Sequence, residues 1–217
     1  MNDFARARRN MVDCQIRPSD VTDHLVLAAF DGVERERFLP DEAKPIAYLD
    51  RQIAVGCGRE LLTPMTFARM TQALTLTPKD KVLDIACGLG YSTAVLAALA
   101  GKVVGLECEA PLAEEAARRL EAAGIANATA VVGDLEQPPA ALAPFNAIMV
   151  NGALEMTPDS WLARLAEGGR LACVMGVGRS AQAILLTKSG SRISQRILFD
   201  TVAPALARFR KKPEFAF

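Results

Sequence analysis

The chain has 217 residues, of which 51% are hydrophobic, so it can bury one good core together with an N-terminal extension. Lysine plus arginine equals aspartate plus glutamate, at 25 each, and this balance gives no global charge that would draw the protein to nucleic acid or to an anionic membrane. The five cysteines form no C-x-x-C pair and the only histidine is His24, which leaves little material for a metal site or a Ser-His-Asp triad.

The location of the protein is predicted from features that the sequence lacks. No apolar run approaches the length of a membrane span, and the first residues, MNDFAR, lack the apolar core of a signal peptide. An odd number of scattered cysteines is typical of reduced thiols. We therefore expect a cytoplasmic monomer or weak homodimer that holds no metal and binds neither membrane nor nucleic acid.

Helical spacing of apolar residues begins the chain. It covers residues 3–14 and 20–31, and Pro18 separates the two stretches. Residues 46–55 are predicted to be extended. Pro64 then suits the first turn of another helix.

From residue 81 onward, strand and helix patterns alternate. The predicted strands are 81–86, 102–107, 129–133, 145–150 and 171–175, and the predicted helices between them are 91–100, 111–123 and 158–166. Residues 182–188 and 192–199 alternate like an antiparallel pair. This alternation predicts an α/β fold with a parallel sheet and helices on both faces. Ligands of such sheets bind at the carboxyl ends of the strands.

The segment 81–91, KVLDIACGLGY, is the most informative part of the sequence. It predicts a buried strand that ends at an acid and opens into a turn at Gly88 and Gly90, followed at once by a helix. Such a turn presents the free N–H groups of the helix to an anionic or carboxylate ligand. Glu107 ends the next strand, at a distance along the chain that suits an acid for the two hydroxyls of a ribose. These features predict a nucleoside-bearing cofactor.

The glycine pattern narrows the choice of cofactor. A dinucleotide fingerprint would need glycine or alanine at Thr93, and no Gly-Lys-Ser/Thr follows the turn as it does in a P-loop. The remaining acid-x-small-x-Gly-x-Gly pattern resembles that of methyltransferases that use S-adenosylmethionine, with Ala86 where glycine is commonest. This resemblance implies that Asp84 meets the ammonium of the methionine part and that Glu107 binds the ribose.

Further stretches resemble one methyltransferase family, the protein-L-isoaspartate O-methyltransferases. They are MVDCQIR at 11–17, RERFLP at 35–40, AYLD at 47–50, GCGRELLTP at 56–64, VLDIACGLGY at 82–91, GD at 133–134, PFNAI at 144–148, GGRL at 168–171 and FDTVAPAL at 199–206. The N-terminal blocks and the glycine-flanked loop are the family-specific part. The match covers nearly the whole chain.

The resemblance implies a fold and a division of the chain. The fold is a Rossmann-like class I methyltransferase fold, with a seven-stranded, mostly parallel sheet, helices on both faces and an N-terminal helical extension. Residues 199–206 would form its closing strand. Residues 1–78 would hold the extension and the active-site loop, and residues 79–217 the cofactor-binding methyltransferase domain, in one compact unit.

The resemblance also implies S-adenosylmethionine as the methyl donor and isoaspartyl residues of damaged proteins as the acceptors. By motif position, Asp134 would receive the adenine amino group. The residues expected around the cofactor are Asp84, Ala86, Cys87, Gly88, Gly90, Tyr91, Glu107, Cys108, Gly133, Asp134, Leu135 and Asn151.

The active-site loop departs from the family pattern. The family's Thr-hydrophobic-Ser triplet is replaced by Glu60, Leu61 and Leu62, so the serine that helps to hold the acceptor carboxylate becomes Leu62. Thr63 offers a hydroxyl one place later. Arg59 offers a positive charge, although a solvated surface arginine is an equally good interpretation. The candidate catalytic residues are therefore Thr63, Arg59 and the Leu62 position.

These departures leave three interpretations open. The chain is a carboxyl methyltransferase of the isoaspartyl type, a methyltransferase with a different acceptor, or an S-adenosylmethionine-binding module with weakened catalysis. A nucleic-acid methyltransferase is disfavoured by the charge balance and because the chain has no Asn/Asp-Pro-Pro-aromatic motif. Residues 209–217, basic and then aromatic, are expected to form a strap on the domain or a loose end.

Overall fold

The computed structural model of the chain describes residues 3–210. Its α-helices are α1 (Phe4–Met11), α2 (His24–Gly32), α3 (Pro64–Ala73), α4 (Tyr91–Ala97), α5 (Ala110–Ala122) and α6 (Asp159–Arg164). Its strands are β1 (Ile53–Gly56), β2 (Arg59–Leu61), β3 (Lys81–Ile85), β4 (Lys102–Glu107), β5 (Ala128–Val132), β6 (Phe145–Leu154), β7 (Leu165–Met175), β8 (Gln182–Ser189) and β9 (Arg192–Asp200).

A seven-stranded sheet with the order β5-β4-β3-β6-β7-β8-β9 forms the centre of the fold. Neighbouring strands from β5 to β7 pair in parallel, and β8 and β9 add antiparallel strands at one edge. The chain runs outward through β3, β4 and β5 and then returns to β6 on the other side of β3. The carboxyl end of β3 therefore lies at a topological switch point, where α/β sheets bind ligands. The seven-stranded, mostly parallel sheet expected from the sequence is confirmed.

The sheet separates two apolar cores, because successive side chains of a strand point to opposite faces. On β3, Val82 belongs to one core, whereas Leu83 and Ile85 belong to the other. Helices α1 to α5 pack into the first core. Helix α6, through Trp161, and the segment that ends at Phe209 close the second core. Helices thus cover both faces, as predicted.

The N-terminal helices join the sheet through an aromatic cluster. The ring of Tyr91, the first residue of α4, lies 6.0 Å from that of Phe67, 6.2 Å from that of Phe38 and 6.5 Å from that of Phe30, between centroids. The guanidinium of Arg35 lies 4.5 Å from the centroid of the Tyr91 ring. The N-terminal extension therefore shares the core of the sheet, and the division between residues 78 and 79 stays a prediction.

The expectation that residues 46–55 are extended is wrong for most of that stretch. A 3₁₀ helix covers Asp41–Ile46 and turns follow it, so that only Ile53–Gly56 forms a strand. The reason is local backbone bonding: the N–H of Ala47 donates to the carbonyl of Lys44 at 3.1 Å, and similar short-range bonds continue the turn.

The expected closing strand at residues 199–206 is also wrong. Strand β9 ends at Asp200, and between residues 201 and 210 only an isolated bridge between Ala205 and Ala153 extends the sheet. Pro204 has no N–H to donate to a ladder, which is one reason why regular pairing stops.

The C-terminal part of the described chain is nevertheless fixed to the domain. Phe209 is buried, with its ring centroid 4.9 Å from that of Trp161. Residues 211–217, which include most of the predicted strap, lie outside the described residues. Within residues 3–210, no helix is both long and apolar enough to cross a bilayer.

Candidate active site

The turn between β3 and α4 forms the floor of the candidate site. Gly88 and Gly90 have φ angles of 55° and 90°, in the left-handed region that favours glycine. A Cβ at Gly90 would lie 3.2 Å from the Cβ of Ala116, so glycine also permits the close approach of α5. Ala86 has a φ of 57°, a conformation that costs about 1–2 kcal/mol for a residue with a Cβ. The motif thus forms the sharp turn that the sequence predicts.

Asp84 is fully buried beneath this turn. Its Oδ2 accepts hydrogen bonds from the hydroxyls of Ser92 and Thr93, both at 2.6 Å, and its Oδ1 accepts one from Asn151 Nδ2 at 2.7 Å. Burial raises the pKa of Asp84 to about 6, although these hydrogen bonds act to lower it. The carboxyl group therefore ties α4 and β6 to the end of β3.

Glu107 ends β4, and its side chain is completely buried. The backbone N–H groups of Gly88, Cys108 and Glu109 donate to its carboxylate at 3.1, 2.8 and 3.3 Å. The acid that was predicted to bind a ribose is therefore joined directly to the glycine turn. Its position is fixed by main-chain groups of two different loops.

Arg59 approaches the same carboxylate from the hairpin of β1 and β2. Its Nε lies 3.1 Å from both oxygens of Glu107, and its Nη2 lies 2.9 Å from Oε1 and 3.0 Å from the sulfur of Cys108. Burial acts to lower the pKa of Arg59, but the hydrogen bonds and charge of Glu107 outweigh it and raise the pKa above its ordinary value. The sequence analysis did not anticipate this ion pair.

The residues after β5 complete the edge of the sheet. The N–H of Gly133 donates to the carbonyl of Glu107 at 2.9 Å, which joins the ends of β4 and β5. Asp134 is exposed, and its Oδ1 pairs with Nη1 of Arg208 at 3.2 Å. Leu135 is buried. Asp134, the acid predicted to meet the adenine amino group, therefore forms an ion pair with Arg208.

A cavity of about 360 Å³ opens between these groups. It is lined by the β1–β2 hairpin, by the residues after β4 and β5 and by the C-terminal segment 205–209, and Leu135 supplies an apolar wall. Glu107 and Asp134 bond directly to two of its lining residues, Arg59 and Arg208. Leu135 gives this cavity an apolar wall for an adenine, and the two acids lie behind its lining arginines, so these residues fit S-adenosylmethionine.

The loop from β2 into α3 holds the candidate acceptor residues. Leu62 is buried, and its carbonyl accepts a hydrogen bond from Arg35 Nη2 at 3.0 Å. The hydroxyl of Thr63 caps α3: it accepts from the N–H of Thr66 at 3.2 Å and donates to the Thr66 hydroxyl at 3.1 Å. The Thr63 hydroxyl is therefore committed to the helix cap, and Leu62 has none to offer.

The remaining candidate residues pack around the turn. Cys87 is buried, and burial raises the pKa of its thiol well above the usual range, so it stays protonated. Tyr91 is buried in the aromatic cluster, whereas Cys108 is partly exposed beside Arg59. These side chains shape the site. Within residues 3–210, no group of three or more His, Cys, Asp or Glu side chains is arranged to hold a metal ion.

Sequence analysis missed several residues that hold the site together. Ser92 and Thr93 follow the glycine turn directly, and a hydroxyl in the first turn of such a helix can reach back to the acid of the preceding strand. The Ser-Thr pair after the glycine turn is therefore a local sequence signal for these contacts. Arg35, fully buried under Leu62, and Arg208 gave no local signal, because their contacts join distant parts of the chain.

The fold and the site together define a class of protein. A parallel sheet with its switch point at β3, a glycine turn after that strand and a fixed acid at the end of β4 are features of a class I methyltransferase. The family model for protein-L-isoaspartate(D-aspartate) O-methyltransferase (PCMT) matches residues 6–203. The chain belongs to the PCMT family.

Curated relatives and solved structures agree with this assignment. A protein-L-isoaspartate O-methyltransferase 1 from Rhodopseudomonas palustris (strain HaA2) is 41% identical over 97% of this chain and 83% of its own length. A protein-L-isoaspartate O-methyltransferase from Roseiflexus sp. (strain RS-1) is 37% identical over 91% of this chain and 90% of its own length. The fold matches a putative PCMT from Plasmodium falciparum, solved with S-adenosyl-L-homocysteine, with a TM-score of 0.79 at 20% identity over 96% of this chain and all of that one.

Proposed function

We propose that this chain transfers a methyl group from S-adenosylmethionine to the carboxylate of isoaspartyl residues in damaged proteins. The observation that supports this best is the match of the family model across residues 6–203 in a chain whose candidate site keeps the buried acids and the glycine turn. The relatives that match most of the chain carry the same activity in their names.

The donor side of the proposed site has one role for each part of the cofactor. Glu107 would hold the ribose hydroxyls and Asp134 the adenine amino group, with Gly133, Leu135 and Cys108 beside the base and ribose. The turn residues Ala86, Cys87, Gly88, Gly90 and Tyr91 would shape the methionine end. Asp84 would meet the ammonium, and Asn151 would hold Asp84 in place through the hydrogen bond at 2.7 Å.

The acceptor side needs positioning groups and no general base. S-adenosylmethionine supplies a methyl group on a sulfonium, and a carboxylate is already a nucleophile at neutral pH. The protein must therefore hold the acceptor in line, exclude water and avoid repelling its charge. A hydrogen bond to a charged acceptor contributes about 1.5–3 kcal/mol, or about ten- to a hundred-fold in rate.

The acceptor loop also favours a second candidate function, transfer to a different acceptor or slow transfer to isoaspartate. The motive is that Leu62 stands where the family has a serine, and the hydroxyl of Thr63 is occupied by the cap of α3. Arg59 is the cation that this loop provides. Its present partner is Glu107.

Other parts of the proposal concern the setting of the reaction. We propose that the protein acts in the cytoplasm, on protein or peptide substrates, as a monomer or weak homodimer, without nucleic acid or membrane. The balanced charge and the scattered cysteines support this setting. We also propose that the chain divides between residues 78 and 79 into an N-terminal extension and a cofactor-binding domain.

The experiment that tests the function is a transfer assay with radiolabelled S-adenosylmethionine and an isoaspartyl peptide. We expect base-labile label on the peptide, as for a methyl ester. Glu107→Gln should lower the rate of transfer about ten- to a hundred-fold, because an amide nitrogen replaces one of the two carboxylate oxygens that would accept from the ribose. Glu114→Gln, an exposed acid of α5, is the matched control and should transfer as the wild type does. Base-stable label, or cofactor binding without transfer, would contradict the proposal and favour the alternatives.

A further inference from the structure

The pair of Arg59 and Glu107 has a geometry that conflicts with ribose binding. A carboxylate has about four acceptor positions. Three main-chain N–H groups already donate to Glu107, and Arg59 adds a two-pronged contact at 2.9–3.1 Å. The acceptor capacity of Glu107 is therefore filled. No ribose hydroxyl can donate to this carboxylate while Arg59 remains on it, and the departure of Arg59 would free the fourth acceptor position.

The surroundings show which of the donors can leave. The three N–H groups belong to the main chain of the site and are fixed by the strands. Arg59 is a side chain on a short hairpin of β1 and β2, which lies outside the main sheet. Its side chain remains 14% exposed, whereas that of Glu107 is completely buried. The guanidinium is thus the one donor that can exchange for the ribose without disturbing the sheet.

The released guanidinium would stand beside the acceptor loop. Arg59 begins β2, which leads through Leu61 into Leu62 and Thr63. Leu62 has no hydroxyl and the Thr63 hydroxyl caps α3, so the loop lacks a neutral donor for an incoming carboxylate. The adjacent Glu60 is exposed and adds a negative charge that would repel one. A free Arg59 would supply a hydrogen-bond donor to the incoming carboxylate and a positive charge that offsets Glu60.

We infer that Arg59 is a positioning residue that exchanges partners, from Glu107 to the acceptor carboxylate, when the cofactor binds. This inference rests on the proposed function. Cofactor and arginine compete for Glu107, so a bound cofactor strengthens the binding of the acidic acceptor. Because linkage is reciprocal, a bound acceptor carboxylate also strengthens the binding of the cofactor.

The test measures two binding equilibria by calorimetry, with S-adenosylhomocysteine as a probe that cannot react. We expect Arg59→Gln to bind this probe about ten-fold more tightly than the wild type, because the competitor is gone. An isoaspartyl peptide should bind the wild type about ten-fold more tightly when the probe is present, and Arg59→Gln should lose that enhancement. Arg51→Gln is the control, since it removes the same charge from an exposed site next to the hairpin.

A second variant guards against a folding defect, because removing a partner from buried Glu107 destabilises the protein. Arg59→Lys keeps the charge but loses the two-pronged contact, and it should bind the probe with an affinity between those of the wild type and Arg59→Gln. Equal or weaker binding of the probe by folded Arg59 variants, with Arg51→Gln unchanged, would overturn the inference. A wild type that binds no S-adenosylhomocysteine would instead overturn the proposed function.

Discussion

Ala86 adopts the left-handed backbone conformation of the glycine turn, although it has a Cβ where glycine is commonest. Its φ of 57° lies in the region that a glycine adopts without strain, and its methyl group is buried in the second core. The strain of about 1–2 kcal/mol is therefore partly offset by the burial of the methyl group, which contributes about 0.8 kcal/mol. The turn tolerates alanine here for this reason.

Ala86→Gly should consequently change stability little. Relief of strain opposes the lost methyl burial and the greater freedom of glycine in the unfolded chain, so we expect the free energy of unfolding to stay within about 1 kcal/mol of the wild type. Ala94→Gly, at a buried right-handed helical position in α4, has no strain to relieve and should cost about 2 kcal/mol. Urea denaturation of both variants is the measurement. Equal losses would contradict the account of the turn.

The titration of Asp84 should change the free energy of unfolding with pH. Its pKa is about 6 in the folded protein, against an ordinary value of 3.8, so the folded state holds an extra proton between these values. The free energy of unfolding should therefore fall as pH rises from about 4 to about 6, and stay at the lower level above that.

Asp84→Asn isolates this effect. The hydroxyls of Ser92 and Thr93 can reverse their roles to bond an amide, so we expect the variant to fold. Relative to it, the wild type should lose about 2 kcal/mol of stability between pH 4 and pH 7. Urea titrations at both pH values give the difference. A wild type that gains stability relative to the variant over this range would reverse the sign and refute the raised pKa.

Among the elements, the alternation of strands and helices after residue 81 was the more predictable part of this chain. The predicted bounds of β4, residues 102–107, are confirmed. They could be predicted because Gly101 and the acid Glu107 mark the two ends of the strand. The turn of residues 47–51 was missed, because short-range backbone bonds override an extended-looking composition. The start of α3 followed from Pro64, but the use of the Thr63 hydroxyl as its cap did not.

In the proposed function, acceptor choice depends on the loop between β2 and α3. Leu62→Ser introduces the hydroxyl that the family resemblance implies at this position, and we expect kcat/KM for an isoaspartyl peptide to rise about ten-fold through a hydrogen bond to the carboxylate. Leu61→Ser is the control, because it loses a similarly buried leucine one position earlier, and it should give no gain. Both variants should lose about 2–5 kcal/mol of stability. If Leu62→Ser gave no gain while remaining folded, the loop serine would not limit the acceptor reaction.

At the scale of the whole molecule, the site is assembled from three parts of the chain. The sheet supplies Asp84 and Glu107, the N-terminal hairpin supplies Arg59, and the C-terminal segment supplies Arg208. The donor motif is local and could be recognised in the sequence. The two arginine contacts join segments far apart in the chain, and only the fold brings them to the same cavity.

Selectivity for isoaspartate is measured by the ratio of kcat/KM for an isoaspartyl peptide to kcat/KM for the same peptide with ordinary aspartate. If the chain is an isoaspartyl carboxyl methyltransferase, only the isoaspartyl peptide should become a base-labile methyl ester, and the ratio should be far above one even if the rate is low. Equal transfer to both peptides, or transfer to neither by a protein that binds S-adenosylmethionine, would contradict the claim.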